Sequence, residues 1–264
     1  MKLDKVLVVY THPAYGIYKS TLDKVKKTLK KYRIDYNLAD RDKLKYDQFQ
    51  NRDLIIAVGG DGTFLRAAQF VGAQLMFGVN ADVSSKEGFF MSSDKNDFES
   101  ILKEILHNKI NIKKFPRLET FINNKKIETL ALNELCIGPK RAYHAAKYIL
   151  EFDGKKERQK SSGVLVTTPA GSYAWAKACG IKTIHLDSEN FQFVVREPYE
   201  GKVFNNYRLK NGILKPNQKI KILSEMLDGI IVADSVGMEH SFKNGSKAAV
   251  KLSKNRLNVV WHKE

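Results

Sequence analysis

Gly59-Gly60-Asp61-Gly62-Thr63 is the stretch of this chain whose residue types and spacing speak most directly of chemistry. It ends the apolar run Leu54-Ile55-Ile56-Ala57-Val58 and opens the helix-compatible stretch Phe64-Leu65-Arg66-Ala67-Ala68. Glycines without a Cβ let backbone N–H groups approach a polyphosphate, and a helix starting just beyond adds the positive end of its dipole. Asp61 is the odd member, because a carboxylate repels phosphate unless it holds a cation or takes a proton from a nucleophile. Its place in a phosphate-cradling turn therefore points to phosphoryl transfer. A plain strand-to-helix turn, with glycines relieving strain and the Asp capping the helix, is the bland alternative. Three glycines around a carboxylate are more than such a turn needs.

Two further constellations follow. Asn133-Glu134, in Ala131-Leu132-Asn133-Glu134, pairs an amide with a carboxylate at the end of an apolar segment. Such a pair can read vicinal hydroxyls and an adenine edge, since Asn both donates and accepts while Glu accepts from two hydroxyls. Taken alone it also fits a surface turn. Thr167-Thr168-Pro169-Ala170-Gly171-Ser172-Tyr173-Ala174-Trp175 follows the strand-like Val164-Leu165-Val166. Small and hydroxylated residues at the mouth of a strand allow close ligand approach, and an aromatic a few residues on can lie against a flat ring.

The elements that must position these residues fall into two styles. Residues 1–108 alternate strand and helix signals: strands over Lys5–Tyr10, Ile34–Leu38, Asp53–Val58 and Leu75–Val79, helices over Ile17–Tyr32 and Asp97–His107. This predicts a Rossmann-like α/β lobe with a parallel sheet and ligands at the carboxyl ends of the strands, where the Gly-Gly-Asp-Gly-Thr turn lies. Residues 109–245 read instead as a β-rich lobe of the β-sandwich kind. Hairpins are expected around Asn123-Asn124 and Asp153-Gly154, strands over Phe191–Val195, Lys219–Leu223 and Gly229–Val232, and one more strand beyond residue 245, over Ala248–Leu252. Residues 246–264 are set apart as a C-terminal segment, whose apolar Leu257–Trp261 is able to return to the first lobe.

The 264 residues, 43% hydrophobic, suffice for a full core. No run of about 18 or more uncharged apolar residues occurs, and no signal or transit segment precedes the first strand, so a cytoplasmic enzyme without stable membrane association is the expectation. The formal net charge of +16 suits anionic ligands. Its lysines are scattered, and the densest run, Lys24–Tyr32, places Val25, Leu29 and Tyr32 on one helical face with the lysines toward water, so no nucleic-acid partner is expected. Cys136 and Cys179 are read as small core residues, not as a disulfide or metal framework.

The first turn resembles the nucleotide-binding turn shared by NAD kinases, diacylglycerol and sphingosine kinases and, in a close variant, phosphofructokinases. Together with Asn133-Glu134 and the Thr168-Pro-Ala-Gly-Ser-Tyr-Ala-Trp175 stretch it resembles the three motifs of the NAD kinase family. Lys160-Ser161-Ser162-Gly163 stands where the common bacterial pattern has Asp-Gly. The loop Gly78–Phe90 is longer than usual, and Val195-Arg196-Glu197-Pro198 is present, so the chain looks closer to the mitochondrial type of NAD kinase. Trp175 and Gly180-Ile181 depart from the usual Tyr and Gly-Gly.

The resemblance implies transfer of the terminal phosphate of ATP to the adenosine-ribose 2′-hydroxyl of NAD, giving NADP. Asp61 would be the base. Gly59, Gly60 and Gly62 would offer N–H groups to phosphate, with the Thr63 hydroxyl beside them. Asn133 and Glu134 would hold the acceptor nucleoside, Thr168, Ala174 and Trp175 would line the ring pocket, Ser162 would stand in weakly for the missing Asp, and Asp234 would be a further contact. Mg²⁺, or another divalent cation, would arrive with ATP and no protein metal site is expected. A homo-oligomer, a dimer or higher, is implied as well. The alternatives are a lipid kinase sharing the turn, and a non-catalytic sensor of NAD or NADP.

Overall fold

The structure, a computed structural model, describes residues 3–12 and 16–262, and all elements, pairings and absences given below are those of these residues. It divides into two units, residues 1–115 with 256–264, and residues 116–255.

The first unit runs β1 (Val6–Tyr10), α1 (Gly16–Lys31), β2 (Tyr36–Asp40), β3 (Leu54–Gly59), α2 (Asp61–Ala68), β4 (Leu75–Asn80), β5 (Ser93–Asp94), α3 (Phe98–Leu106) and β6 (Ile112–Phe115). The sheet order is β2-β1-β3-β4, then the C-terminal strand Leu257–Val260, then β6, with the short β5 also beside β4. From β2 to the C-terminal strand every pairing is parallel, and only β6 is antiparallel to its neighbour. Every residue of β3 and β4 is buried, as expected of parallel strands covered on both faces. Helix α1 turns Leu22, Val25 and Leu29 into a core shared with Ile56, Val58, Phe77 and Val79. Helix α3 adds Phe98, Ile101, Leu102 and Ile105 to it.

Parallel strands joined by crossovers bring their carboxyl ends to one edge. Tyr10 pairs with Asp40 and with Val58, and Gly59 with Asn80, so the residues after all four strands meet there. The second strand begins later than the expected Ile34, and the helix ending explains this. Arg33 is left-handed (φ 54°), its N–H donates to Lys30 O, and Ile34 N–H donates to Leu29 O. That Schellman ending spends Arg33 and Ile34 on closing α1.

The second unit is all antiparallel pairing: β7 (Leu118–Ile122), β8 (Lys125–Lys126), β9 (Glu134–Pro139), β10 (Ala146–Phe152), β11 (Lys155–Ser161), β12 (Gly163–Thr167), the short α4 (Trp175–Ala178), β13 (Phe191–Arg196), β14 (Asn211–Leu214), β15 (Ile220–Ser224), β16 (Gly229–Ala233), β17 (His240–Ser241) and β18 (Lys247–Leu252). They form two six-stranded sheets, β11-β10-β15-β18-β7-β8 and β14-β13-β12-β9-β16-β17. Leu118, Leu150, Ile222 and Val250 of the first share one core with Leu135, Val166, Phe193 and Ile231 of the second. The hairpin turns carry positive φ at Asn123 and Asn124 and at Asp153 and Gly154, the geometry of a primed two-residue turn. Strand β12 is buried throughout, because Leu165 packs on Ala176 of α4 on the face away from that core.

The divisions lie at 115/116 and 255/256, whereas the pattern of strand and helix signals places them at 108/109 and 245/246. The strand β6 lengthens the first unit, and β18 belongs to the second because it pairs with β15 and β7. Only the stretch from Arg256 onward is part of the first unit. No helix among the described residues is long and apolar enough to cross a membrane.

Candidate active site

In the first unit the Gly-Gly-Asp-Gly-Thr turn joins β3 to α2. Gly60 is the extended N-cap (φ −126°, ψ −173°), and its carbonyl accepts N–H groups from Thr63 and Phe64. Asp61 is thus the first residue of α2, where backbone N–H groups have no partner inside the helix. Its carboxylate is gripped from across the sheet edge: Phe89 N–H donates to Oδ2 (2.9 Å) and Phe90 N–H to Oδ1 (2.8 Å). Each oxygen keeps room for another donor, and the residue is only half-buried.

The segment that supplies those two amides is itself braced. Asn80 donates from Nδ2 to Lys86 O (3.2 Å) and accepts Asp82 N–H on Oδ1 (3.0 Å). Gly88 adopts φ +64°, and a Cβ there would crowd Asn80 Nδ2 at 2.6 Å. Phe90 drives its ring into the core and stacks on Phe64 of α2, with ring centroids 5.0 Å apart. Helix and loop therefore hold Asp61 as one piece.

The three glycines have different reasons. A Cβ at Gly59 would collide with Thr63 Oγ1 and lie 2.8 Å from Thr11 Oγ1, so this glycine serves packing. At Gly60 it would lie 3.4 Å from the Lys86 stem, an ordinary contact, and at Gly62 it would meet nothing within 4 Å. The open space over Gly62 is what close approach of a ligand to the backbone needs. Thr63 does not offer its hydroxyl to that space. It is fully buried, with Oγ1 2.6 Å from Thr11 Oγ1 and accepting from Arg41 Nη1 at 3.3 Å. That corrects its expected role from phosphate contact to bracket.

In the second unit the other two motifs are stitched together. Thr168 N–H donates to Asn133 O (2.9 Å), Thr168 Oγ1 to Leu132 O (2.6 Å), and Thr167 Oγ1 to Asn133 O (3.2 Å). Gly171 packs so closely on Asn133 O that any Cβ would collide. Thr168 is fully buried, so it joins the motifs rather than lining a pocket with its hydroxyl. Asp234 is likewise corrected from a ligand contact. It is buried, and its carboxylate accepts N–H groups from Leu132 (2.9 Å), Asn133 (2.6 Å) and Glu134 (3.3 Å). It supports the Asn-Glu turn from within, next to the charge of the buried Arg117.

Glu134 is 3% exposed, and its Oε2 has no hydrogen-bond partner. Ser235 Oγ approaches Oε1 at 3.4 Å. Burial first, and then the neighbouring Asp234, push the Glu134 carboxyl up to about 8. Burial raises Asp234 to about 7, against the opposing pull of its three N–H donors and of Arg117. A carboxyl with an unbonded buried oxygen is a group waiting for a polar partner.

Trp175 and Ala174 open α4, and both are half-buried. The Arg196 guanidinium lies 4.4 Å from the Trp175 ring centroid, and its Nη1 donates to Ser162 O (3.4 Å). Ser162, at the position of the missing Asp, is thus tied to Arg196 by its backbone. Burial pushes the Cys136 thiol up to about 11, which disfavours a thiolate at neutral pH.

The sequence alone assigned no individual role to Arg41, Asn80, Lys86, Arg117 or Arg196. Arg41 had a usable signal, since it directly follows a strand's carboxyl end in a parallel sheet.

A parallel sheet whose third strand ends in a Gly-Gly-Asp-Gly-Thr turn, together with a two-sheet β unit that packs Asn-Glu against Thr-Pro-Ala-Gly-Ser, defines a nucleotide-using phosphotransferase. The sequence pattern described as ATP-NAD kinase N-terminal domain matches residues 5–110. A probable NADH kinase of Oryza sativa subsp. japonica is 24% identical, over 92% of this chain and 81% of its own. Among solved structures, an NAD kinase from Archaeoglobus fulgidus in complex with ATP aligns with TM-score 0.79 at 23% identity, covering 98% of this chain and 94% of that one. Yeast NADH kinase complexed with NADH aligns with TM-score 0.81 at 16% identity, covering 99% and 84%. At these identities the structural likeness speaks for the fold. The matched N-terminal domain and these relatives support the NAD kinase family.

Proposed function

We propose that the chain acts as an NAD kinase in which Asp61 takes the proton of the adenosine-ribose 2′-hydroxyl while the terminal phosphoryl group of ATP passes to that oxygen. The P–O bond to the leaving ADP breaks as the bond to the 2′-oxygen forms, and the hydroxyl proton ends on the Asp61 carboxylate. NAD gives NADP, and NADH gives NADPH. The observation that carries this reading is the Asp61 carboxylate itself, fixed by one backbone N–H on each oxygen, half-exposed, and next to the open space over Gly62. A carboxylate held in this way is aimed before the substrate arrives, which is where most of the rate in such a loose transition state comes from.

The amides of Asp61 and Gly62, unpaired inside the helix, suit phosphate oxygens. Asn133 and Glu134 hold the acceptor nucleoside, and the unbonded Oε2 of Glu134 takes a nucleoside polar group as its missing partner. Trp175, stiffened by Arg196, and Ala174 bound the space for a ring.

Among the described residues no group of three or more His, Cys, Asp and Glu is placed to hold a metal ion. The Asp61 carboxylate, beside the open space over Gly62, suits a Mg²⁺ carried by the triphosphate. Bound there, it would neutralise charge on the donor.

The test is direct. Purified chain is incubated with Mg-ATP and either NAD or NADH, and the product is read with an NADP-specific dehydrogenase. Formation of NADP or NADPH is the expected result. A folded protein that forms neither would overturn the reading.

A further inference from the structure

We infer that Arg41 is the cation that binds the donor triphosphate at the Gly-Gly-Asp-Gly-Thr turn. The inference rests on the NAD kinase reading and adds a residue that the motifs do not contain. Arg41 follows β2 directly, at the sheet edge where β1, β3 and β4 also end. Its Nη1 reaches across to Thr63 Oγ1 at 3.3 Å, which anchors the guanidinium to the turn itself.

The charge of Arg41 is poorly compensated inside the protein. Its Nε is buried without a hydrogen-bond partner, and the Asp42 carboxylate that pairs with it stands off at 3.7 Å. Asp42 is also claimed by Arg66 of α2 at 3.4 Å, so one acid faces two guanidinium groups. The Arg41 side chain keeps 30% of its surface exposed, which leaves part of the fork open to a ligand. A cation held against a helix start, next to a turn with empty space over Gly62 and short of counter-charge, is arranged for an anion.

The two other cations near the turn are worse placed. Arg66 is turned to Asp42, and Lys86 is exposed on the loop with only its stem over Gly60. During transfer Arg41 would exchange no proton. It would hold phosphate oxygens as charge moves toward ADP, a task that a planar fork does better than an ammonium.

The test compares the parent with Arg41→Ala, Arg41→Lys and Arg41→Gln. Two quantities are read: kcat/KM for ATP in the coupled assay, and the affinity for inorganic tripolyphosphate by calorimetry. Arg41→Ala should lower kcat/KM for ATP by about 100- to 1,000-fold, weaken tripolyphosphate binding, and leave KM for NAD within about threefold. Arg41→Lys should recover part of both losses. Arg41→Gln keeps a donor for Thr63 without the charge and should behave like Ala; it also serves if Arg41→Ala does not fold.

Tripolyphosphate binding reads the role of Arg41 even if the parent forms no NADP, so this inference and the NAD kinase reading fail separately. Unchanged tripolyphosphate affinity and unchanged kcat/KM in the variants would overturn the inference. So would full rescue by Arg41→Gln, which would mark Arg41 as a brace for Thr63.

Discussion

Asp61 and Asp234 are both carboxylates that collect backbone N–H groups, and they do opposite work. Asp61 accepts two amides from a loop, Phe89 and Phe90, and remains half-exposed beside open space. Asp234 accepts three, from Leu132, Asn133 and Glu134, and is sealed in the second unit with Arg117 as its nearby opposite charge. Donor count does not separate a reacting carboxylate from a supporting one. Access does: each Asp61 oxygen can still take a hydroxyl, whereas Asp234 spends its capacity on the chain around it. The same amide-to-carboxylate bond aims a group in one place and shapes a turn in the other.

This contrast can be broken at several points. Asp234→Ala removes the acceptor for three buried N–H groups and the opposite charge near Arg117, and should cost about 3–5 kcal/mol of stability. Urea unfolding would show it, and an unchanged midpoint would remove Asp234 from its structural role. Asn80→Ala leaves Asp61 in place but loosens the loop that aims it. It should lower kcat by about 10- to 100-fold with KM for NAD unaltered. An equal effect on kcat and KM would mean that the loop serves binding instead.

Glu134→Gln sharpens the comparison through pH. The folded carboxyl is raised to about 8 from an ordinary 4.5, so the native chain holds the proton more tightly than the unfolded one. Stability should then fall as pH rises from about 4.5 through 8, and Asp234, raised to about 7, steepens the same fall. The Gln variant should be more stable than the parent by about 1–3 kcal/mol at pH 8 and lose that advantage near pH 5. Parallel stability curves for the two proteins would contradict the buried-proton account.

Much of the fold was open to sequence reading because it is locally encoded. Continuous apolar runs announced β3 and β4, and Asn123-Asn124 and Asp153-Gly154 announced two hairpins. The polar strands were not, since Ile112-Lys113-Lys114-Phe115 becomes a strand only by pairing with Leu257–Val260. At the site, the positions of Asp61 and of Asn133-Glu134 followed from motif and context, but their partners did not. The amides on Asp61 come from residues 28 and 29 positions away, and those on Asp234 from residues 100 to 102 away. Contacts at such separations leave no periodicity in the chain. The glycines show the same limit: all three read alike, yet Gly59 answers to Thr63 and Gly62 to empty space.

The most direct test of the contrast is to measure kcat and the unfolding midpoint of Asp61→Asn and Asp234→Asn in parallel with the parent. Asn at position 61 keeps one acceptor and sets its amide against a backbone N–H, so a loss of about 1–3 kcal/mol is expected. Its kcat per folded molecule should fall by roughly two to four orders of magnitude. Asp234→Asn should show the reverse pattern, with the larger loss in stability and the smaller loss in kcat. Full turnover in Asp61→Asn, or a kcat loss in Asp234→Asn as deep as that of Asp61→Asn with no loss of stability, would contradict the assignment of the reacting carboxylate to Asp61.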